Sequence, residues 1–163
     1  MINPEIFREY DIRGLADEDL NPESVYILGL AVGEYFKKHQ ETKVLVGRDN
    51  RLSSGRIRDN LVAGLTAAGC WVIDIGTVIT PLFYYSRILY NINAGLMITA
   101  SHNPAEFNGF KVALGPATIY GAEIQNLYKL AVEISTNLDV TITPINTSQV
   151  EYKDPVEDYL KML

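Results

Sequence analysis

One stretch gathers an unusual number of groups able to do chemistry: Leu96-Met97-Ile98-Thr99-Ala100-Ser101-His102-Asn103-Pro104-Ala105-Glu106-Phe107-Asn108-Gly109-Phe110-Lys111. Ser101 offers a hydroxyl, His102 an imidazole, Asn103 and Asn108 amides, and Lys111 an ammonium. Two chemistries suit these groups. In one, His102 activates Ser101 as a hydrolase nucleophile. That reading is weak, because adjacent side chains diverge in most backbone conformations and no Gly-x-Ser-x-Gly elbow surrounds the serine. In the other, Ser101 carries a phosphate. Phosphoryl transfer needs little covalent work from a protein and much positive charge around the phosphoryl oxygens. Arg8, Arg13, Arg48, Arg51 and Lys111 are the cations expected to supply it, and the phosphoserine reading leads.

The elements that must position these groups follow from periodicity. Asn21 and Pro22 open a helix to Gln40, with Val25, Leu28, Val32 and Phe36 at helical spacing and Lys37-Lys38-His39 at its end. Lys43–Gly47 reads as a strand followed by the loop Arg48–Ser54. A helix over Gly55–Ala68, a strand over Trp71–Gly76, a helix from a Thr80-Pro81 cap to Tyr90 and a strand over Ala94–Thr99 come next. Alternating strands and helices predict parallel strands joined by helical crossovers. Only about ten residues separate Thr99 from Phe110, too few for a crossover, so the strand Gly109–Leu114 should run antiparallel. Asn103-Pro104 and Asn108-Gly109 are read as turns that order the loop between them. A helix over Ala122–Ile134, a strand at Gln149–Tyr152 and helical turns over Pro155–Leu163 complete the chain. The expected fold is a three-layer α/β/α sandwich. Its mixed, mainly parallel sheet has about four strands, the last of them antiparallel. Ligands in such sheets gather at the carboxyl edge.

Composition limits the alternatives. The 163 residues are 47% hydrophobic and 21% charged, ordinary for a folded domain, and the net charge of −6 argues against duplex nucleic-acid binding. The single cysteine, Cys70, excludes an internal disulfide framework and fits a reducing compartment. The longest apolar run, Val25–Val32, is far too short for a membrane span, and the amino terminus lacks a signal-peptide pattern. A cytoplasmic protein is expected, binding neither nucleic acid nor membrane. The terminal apolar face of Tyr159, Leu160, Met162 and Leu163 has no cap or polar tail, so the polypeptide is expected to be the first part of something longer.

Three signatures in order carry a resemblance: Phe7-Arg8-Glu9-Tyr10-Asp11-Ile12-Arg13-Gly14, Gly47-Arg48-Asp49-Asn50-Arg51, and Thr99-Ala100-Ser101-His102-Asn103-Pro104 with Asn108-Gly109-Phe110-Lys111. Together they resemble the α-D-phosphohexomutases, and the opening one resembles the bacterial phosphomannomutase/phosphoglucomutase branch. The resemblance covers the first of that family's four domains. It implies residues 1–150 as the domain carrying the catalytic serine and residues 151–163 as the start of the connection to a second domain. It further implies that Ser101 is phosphorylated, gives its phosphoryl group to a bound sugar phosphate and recovers the other phosphate of the bisphosphorylated sugar. The net result is exchange between hexose 1- and 6-phosphates of mannose or glucose. Arg13 and Lys111 match positions of proton transfer, His102 a phosphate contact, and Tyr10, Arg8 and Asn103 substrate contacts. Mg²⁺ would bind one phosphoserine oxygen on Ser101 and three aspartates of a second-domain loop, a ligand set that suits this ion.

The aspartate loop and the sugar and phosphate loops of the later family domains are absent from the 163 residues. Asp17-Glu18-Asp19 lacks the geometry to replace the first and is read as a solvated turn. The isolated chain is therefore expected to have no mutase turnover, its partners being hexose phosphates and the remaining three domains. A stand-alone binding domain of the same fold is the alternative. Among lesser features, Arg56 and Arg58 are expected to face solvent. Asp11 should pair with an arginine, and an Asp49–Arg51 interaction should order its loop. Cys70 is read as a small core residue.

Overall fold

A computed structural model describes residues 1–137 and 139–163. The strands are β1 (Ile12–Leu15), β2 (Lys43–Arg48), β3 (Trp71–Thr77), β4 (Ala94–Ile98), β5 (Phe107–Leu114), β6 (Ala117–Thr118) and β7 (Val150–Tyr152). The helices are α1 (Pro22–Lys38), α2 (Ser54–Ala67), α3 (Thr80–Leu89), α4 (Ala122–Asn137) and α5 (Val156–Met162). Strand order is β1-β5-β4-β2-β3-β7, with β6 paired to β5. The seven strands exceed the four or so expected. β1 and β6 are too short for a period-two pattern to reveal; β7, the strand expected at Gln149–Tyr152, supplies a parallel edge beside β3.

Alternation along the strands sets the layers. Val44, Val46, Val72, Leu96, Ile98, Phe110 and Val112 face α1, α2 and α4 in one core. Leu45, Ile73, Ile75 and Met97 face the opposite way, against Leu82 and Phe83 of α3, with Tyr159 of α5 at the margin. Successive side chains on a strand point to opposite faces, so β2, β3, β4 and β5 each serve both cores. The result is the expected three-layer sandwich. β4 and β5 are antiparallel as predicted, with Met97 opposite Lys111. α1 and α2 meet backbone to backbone: a Cβ on Gly64 would lie 2.3 Å from the carbonyl oxygen of Tyr26.

Local signals hold in part. Asn21 caps α1, its side chain accepting the Ser24 N–H at 3.0 Å. α3 differs from its expected start, because Ile79 is the extended residue at its cap and Thr80 lies inside the first turn. Asn108-Gly109 is not a turn but the second and third positions of β5. Asp19 is more than a solvated residue: it accepts the Leu15 N–H at 2.8 Å and the Asn3 amide at 2.9 Å, fixing the exit from β1.

The chain path creates a crevice. From β2 it crosses to β3 on one side and then, through α3 on the opposite face, to β4 on the other side of β2. At such a reversal the loops leaving neighbouring parallel strands separate and leave space between them. Since β4 lies beside β2 with Ile98 opposite Arg48, the loops that follow these two strands are neighbours. No helix among the described residues is long and apolar enough to cross a membrane.

Candidate phosphoryl-transfer site

Ser101 sits three residues beyond the carboxyl end of β4, exposed, at φ +55°. A non-glycine residue in the left-handed region carries strain, and such residues cluster at functional sites. Its N–H donates to Thr99 Oγ1 at 3.1 Å, and its Oγ lies 3.3 Å from His102 Nδ1.

Arg51 holds this conformation. Its Nη2 donates to the carbonyl oxygens of Ser101 at 2.9 Å and Asn103 at 2.7 Å, and its Nη1 to those of Pro104 at 2.7 Å and Phe107 at 3.1 Å. Its Nε donates to Asp49 Oδ2 at 3.2 Å. All five guanidinium N–H bonds are thereby engaged, four on the serine loop. Asp49 is held in turn: Oδ1 accepts the Arg51 N–H at 3.1 Å and the Ser54 hydroxyl at 2.6 Å. From the far end of the loop, buried Asn108 donates to Ser53 Oγ at 2.8 Å and Ser54 Oγ at 3.0 Å. The amino end of α2 and both ends of the serine loop thus form one network. The sequence expectation of an ordering Asp49–Arg51 contact holds. Arg51 as part of the cation canopy does not, because its donors are already satisfied by backbone carbonyl oxygens and Asp49.

Arg13 arrives from β1. Pairing with β5 places it opposite Gly109, where a Cβ would come within 2.1 Å of the Ile12 carbonyl oxygen. Glycine is required for that approach. Arg13 Nη1 donates to Asn103 Oδ1 at 2.9 Å and Nη2 to Asp11 Oδ2 at 2.5 Å, while its buried Nε has no partner among the described residues. Asp11 also lies 4.0 Å from Lys111 Nζ. Register puts Arg13, Lys111 and Met97 on one face of the sheet. Arg13 is thereby joined to Asn103 of the serine loop, with Asp11 and Lys111 next to it.

Other candidates lie elsewhere or point outward. Arg48, expected in the canopy, turns away: its Nη1 is 3.9 Å from Asp74 Oδ1. Asp74 is buried on β3 and accepts from Arg58 Nε at 2.6 Å. Arg58 does not face solvent. It also donates to Asp59 at 2.8 Å and to the Tyr152 hydroxyl at 2.9 Å, tying β7 to the sheet. Burial opposes its charge, but Asp59 and Asp74 more than offset that and hold its pKa above the ordinary guanidinium value. Arg56 likewise bonds inward, to the carbonyl oxygens of Leu20 and Ala16, both at 2.8 Å. Tyr10 is 68% exposed with its ring centroid 6.5 Å from that of Tyr120, and Arg8 is exposed.

A cleft of about 870 Å³ opens beside Ser101, between the loops that follow β2, β3 and β4. Ser101, His102 and Asn103 form one wall, Asp49 to Arg51 another, and Thr77 to Thr80 a third, with Met97 among its lining residues. Its place at the carboxyl edge matches the position expected from topology. As for Mg²⁺, the described residues contain no group of three or more His, Cys, Asp or Glu able to hold an ion. Asp49, the carboxylate of the cleft, already serves Arg51 and Ser54. These residues alone do not make a magnesium site; a phosphate on Ser101 would give one ligand oxygen.

Comparison with known proteins identifies the fold and the family. Residues 4–137 match the family model described as phosphoglucomutase/phosphomannomutase, alpha/beta/alpha domain I. A phosphomannomutase/phosphoglucomutase of Pseudomonas syringae pv. tomato is 38% identical over 154 residues, covering 94% of this chain and 33% of that protein. A phosphoglucomutase of Neisseria meningitidis is 38% identical over 123 residues, covering 76% of this chain and 27% of that protein. The crystal structure of a phosphoglucomutase/phosphomannomutase family protein from Burkholderia thailandensis superposes with a TM-score of 0.85 at 34% identity, covering 99% of this chain and 35% of that one. The chain spans about a third of the length of the first curated relatives it matches. On the match across residues 4–137, the chain belongs to the phosphoglucomutase/phosphomannomutase family, of which it carries the α/β/α domain I.

Proposed function

We propose that Ser101 is the phosphoryl carrier of a phosphomannomutase/phosphoglucomutase that interconverts hexose 1- and 6-phosphates. A sugar hydroxyl oxygen attacks phosphorus, the bond from phosphorus to Ser101 Oγ breaks, the hydroxyl proton leaves and Oγ regains one. The reverse step returns the other phosphate of the bisphosphorylated sugar. The observation that carries this reading is an exposed serine, held at φ +55° by Arg51 at the edge of a large cleft, with Arg13 linked to its loop. Arg13 and Lys111 move the protons, His102 contacts the phosphate, and Tyr10, Arg8 and Asn103 contact the sugar phosphate. Asp11, between Arg13 and Lys111, orients both.

Residues 1–150 form the serine domain and 151–163 begin the connection onward. The remaining domains of the polypeptide complete the site; Mg²⁺, for which a phosphate on Ser101 would give one ligand oxygen and residues outside this chain the others, would supply charge neutralisation. The 163-residue chain alone has no mutase turnover. A cytoplasmic setting belongs to the same proposal, supported by the unpaired thiol of Cys70. The hydrolase reading has less support, because His102 is exposed and among the described residues no carboxylate bonds to its ring.

Intact mass after incubation with a hexose bisphosphate tests the carrier role. A gain of about 80 Da, the mass of one phosphoryl group, that disappears in Ser101→Ala supports it. Labelling by a fluorophosphonate with no phosphoryl gain overturns it in favour of hydrolysis.

A further inference from the structure

A second cleft of about 530 Å³ lies at the other edge of the sheet. It opens between the carboxyl end of α3, the Asn91–Asn93 loop ahead of β4 and the turn at Gly115-Pro116. Ser101 follows the carboxyl end of β4 and Asn93 precedes its amino end, so the two clefts stand on the order of 20 Å apart at the usual rise of a strand. Arg87 lines this cleft and is 7% exposed. Its Nη2 donates to the carbonyl oxygens of Asn93 and Gly115. Its Nε is buried without a partner, and among the described residues no hydrogen bond or ion pair engages Nη1.

A buried guanidinium ordinarily has a carboxylate partner, because an unpaired charge in a poorly solvated place is expensive. Arg87 has none among the described residues, although the chain carries 20 acidic residues. Two carbonyl dipoles and the carboxyl end of α3 favour its charge but supply no counter-ion. The other polar side chains of the lining, Tyr84, Asn91 and Asn93, all offer donors, and the remaining side chains are apolar. Glu41 accepts from Asn93 Nδ2 at 2.8 Å but is not part of the lining. Burial lowers the Arg87 pKa, as a charge without a counter-ion requires.

We propose that this cleft binds the oxyanion of a small molecule, a phosphate or a carboxylate, with Arg87 supplying the charge and the asparagine amides and Tyr84 hydroxyl further donors. Apolar walls from Ile88, Ile92 and Pro116 suit a ligand with a carbon skeleton. The site is independent of the proposed chemistry at Ser101.

The test is an amide NMR titration of the 163-residue chain with inorganic phosphate and, separately, with malonate, at constant ionic strength set by chloride. The expected result is saturable shifts at Arg87, Asn93 and Gly115 with at least one of the two anions, the responding anion naming the ligand class. Arg87→Gln should abolish saturation. Because Arg87 also ties two loops, Asn91→Asp is the second variant. It puts a negative charge at the rim without touching the carbonyl contacts, and should weaken binding about tenfold, equivalent to about 1.4 kcal/mol. Shifts that stay linear with both anions, or saturation unchanged by Asn91→Asp, would overturn the proposal. Shifts around Ser101 report the other cleft, so the two readings fail separately.

Discussion

Arg51 Nη2 lies 2.9 Å from the carbonyl oxygen of Ser101, across 50 residues of sequence, and this contact fixes a serine at φ +55°. Left-handed serine costs roughly 1–2 kcal/mol, so an isolated loop would not keep it. Arg51→Ala should leave the helices intact by circular dichroism, speed amide exchange at residues 101–106, and destabilise the chain by about 2–4 kcal/mol in denaturant titration. Arg51→Lys should recover little, because one ammonium cannot reach acceptors spread over a planar fork. Exchange at the loop unchanged from wild type in Arg51→Ala would show that the clamp does not hold the serine.

Strain at Ser101 can be measured directly. Ser101→Gly removes the left-handed penalty but adds freedom to the unfolded chain, while Ser101→Ala keeps the penalty. Ser101→Gly should therefore be more stable than Ser101→Ala by about 0.5–1 kcal/mol. Equal or inverted midpoints would mean the loop relaxes around alanine at no cost.

Most of the scaffold was legible because it repeats. α1, α2, β2, β3 and β4 each carry several residues of one period, and the short β4–β5 connection dictated an antiparallel pair. β1 was not legible: four residues, Ile12–Leu15, acquire strand character only by pairing with β5, ninety-odd positions away. The site was half legible for the same reason. Ser101, Arg13 and Lys111 show in residue type, and Asp11 was rightly expected to pair with an arginine. Charge alone could not separate Arg51, used on carbonyl oxygens, or Arg48, turned to Asp74, from cations free to meet an anion. The adjacency of β2 and β4 decides it, since their loops must then touch. Asn108 shows the converse: Asn-Gly favours turns, but here two serine hydroxyls inside the fold take its amide.

Gly109 should tolerate no side chain. A Cβ there would sit 2.1 Å from Ile12 O and 3.0 Å from Arg13 Cα, both backbone atoms. Gly109→Ala should displace β1, costing about 1–3 kcal/mol as overpacking does. Because β1 carries Arg13, the Asn103 and Asp11 resonances should shift with it. A variant as stable as wild type with those resonances unmoved would refute the register argument.

Asp74 is the buried end of a charged chain running through Arg58 to Tyr152. Asp74→Asn leaves Arg58 under-compensated and should cost about 3–5 kcal/mol, the usual penalty for breaking a buried pair from one side. Pairing it with Arg58→Met should recover part of that loss, since the second change removes the stranded charge. A double variant no more stable than Asp74→Asn would mean the Arg58 charge is solvated after all.

Cys70 lies in the core between α1 and β3, its thiol directed at the carbonyl oxygen of Gly33, 3.8 Å away. Burial pushes its pKa up from 9.0 to about 11. The folded chain then holds the proton more tightly than the unfolded chain, so this contribution is complete below pH 9.0 and is lost as pH rises towards about 11. At 1.36 kcal/mol per unit, the loss should amount to about 1–3 kcal/mol. In urea titrations at pH 8, 9, 10 and 11, Cys70→Ala should start less stable than wild type because a small cavity remains, yet decline less steeply. Native-state alkylation at pH 8 should also be slow, since the thiolate is the nucleophile and little of it forms. Parallel curves for the two proteins across pH 9–11 would show that the thiol reaches water before the fold opens.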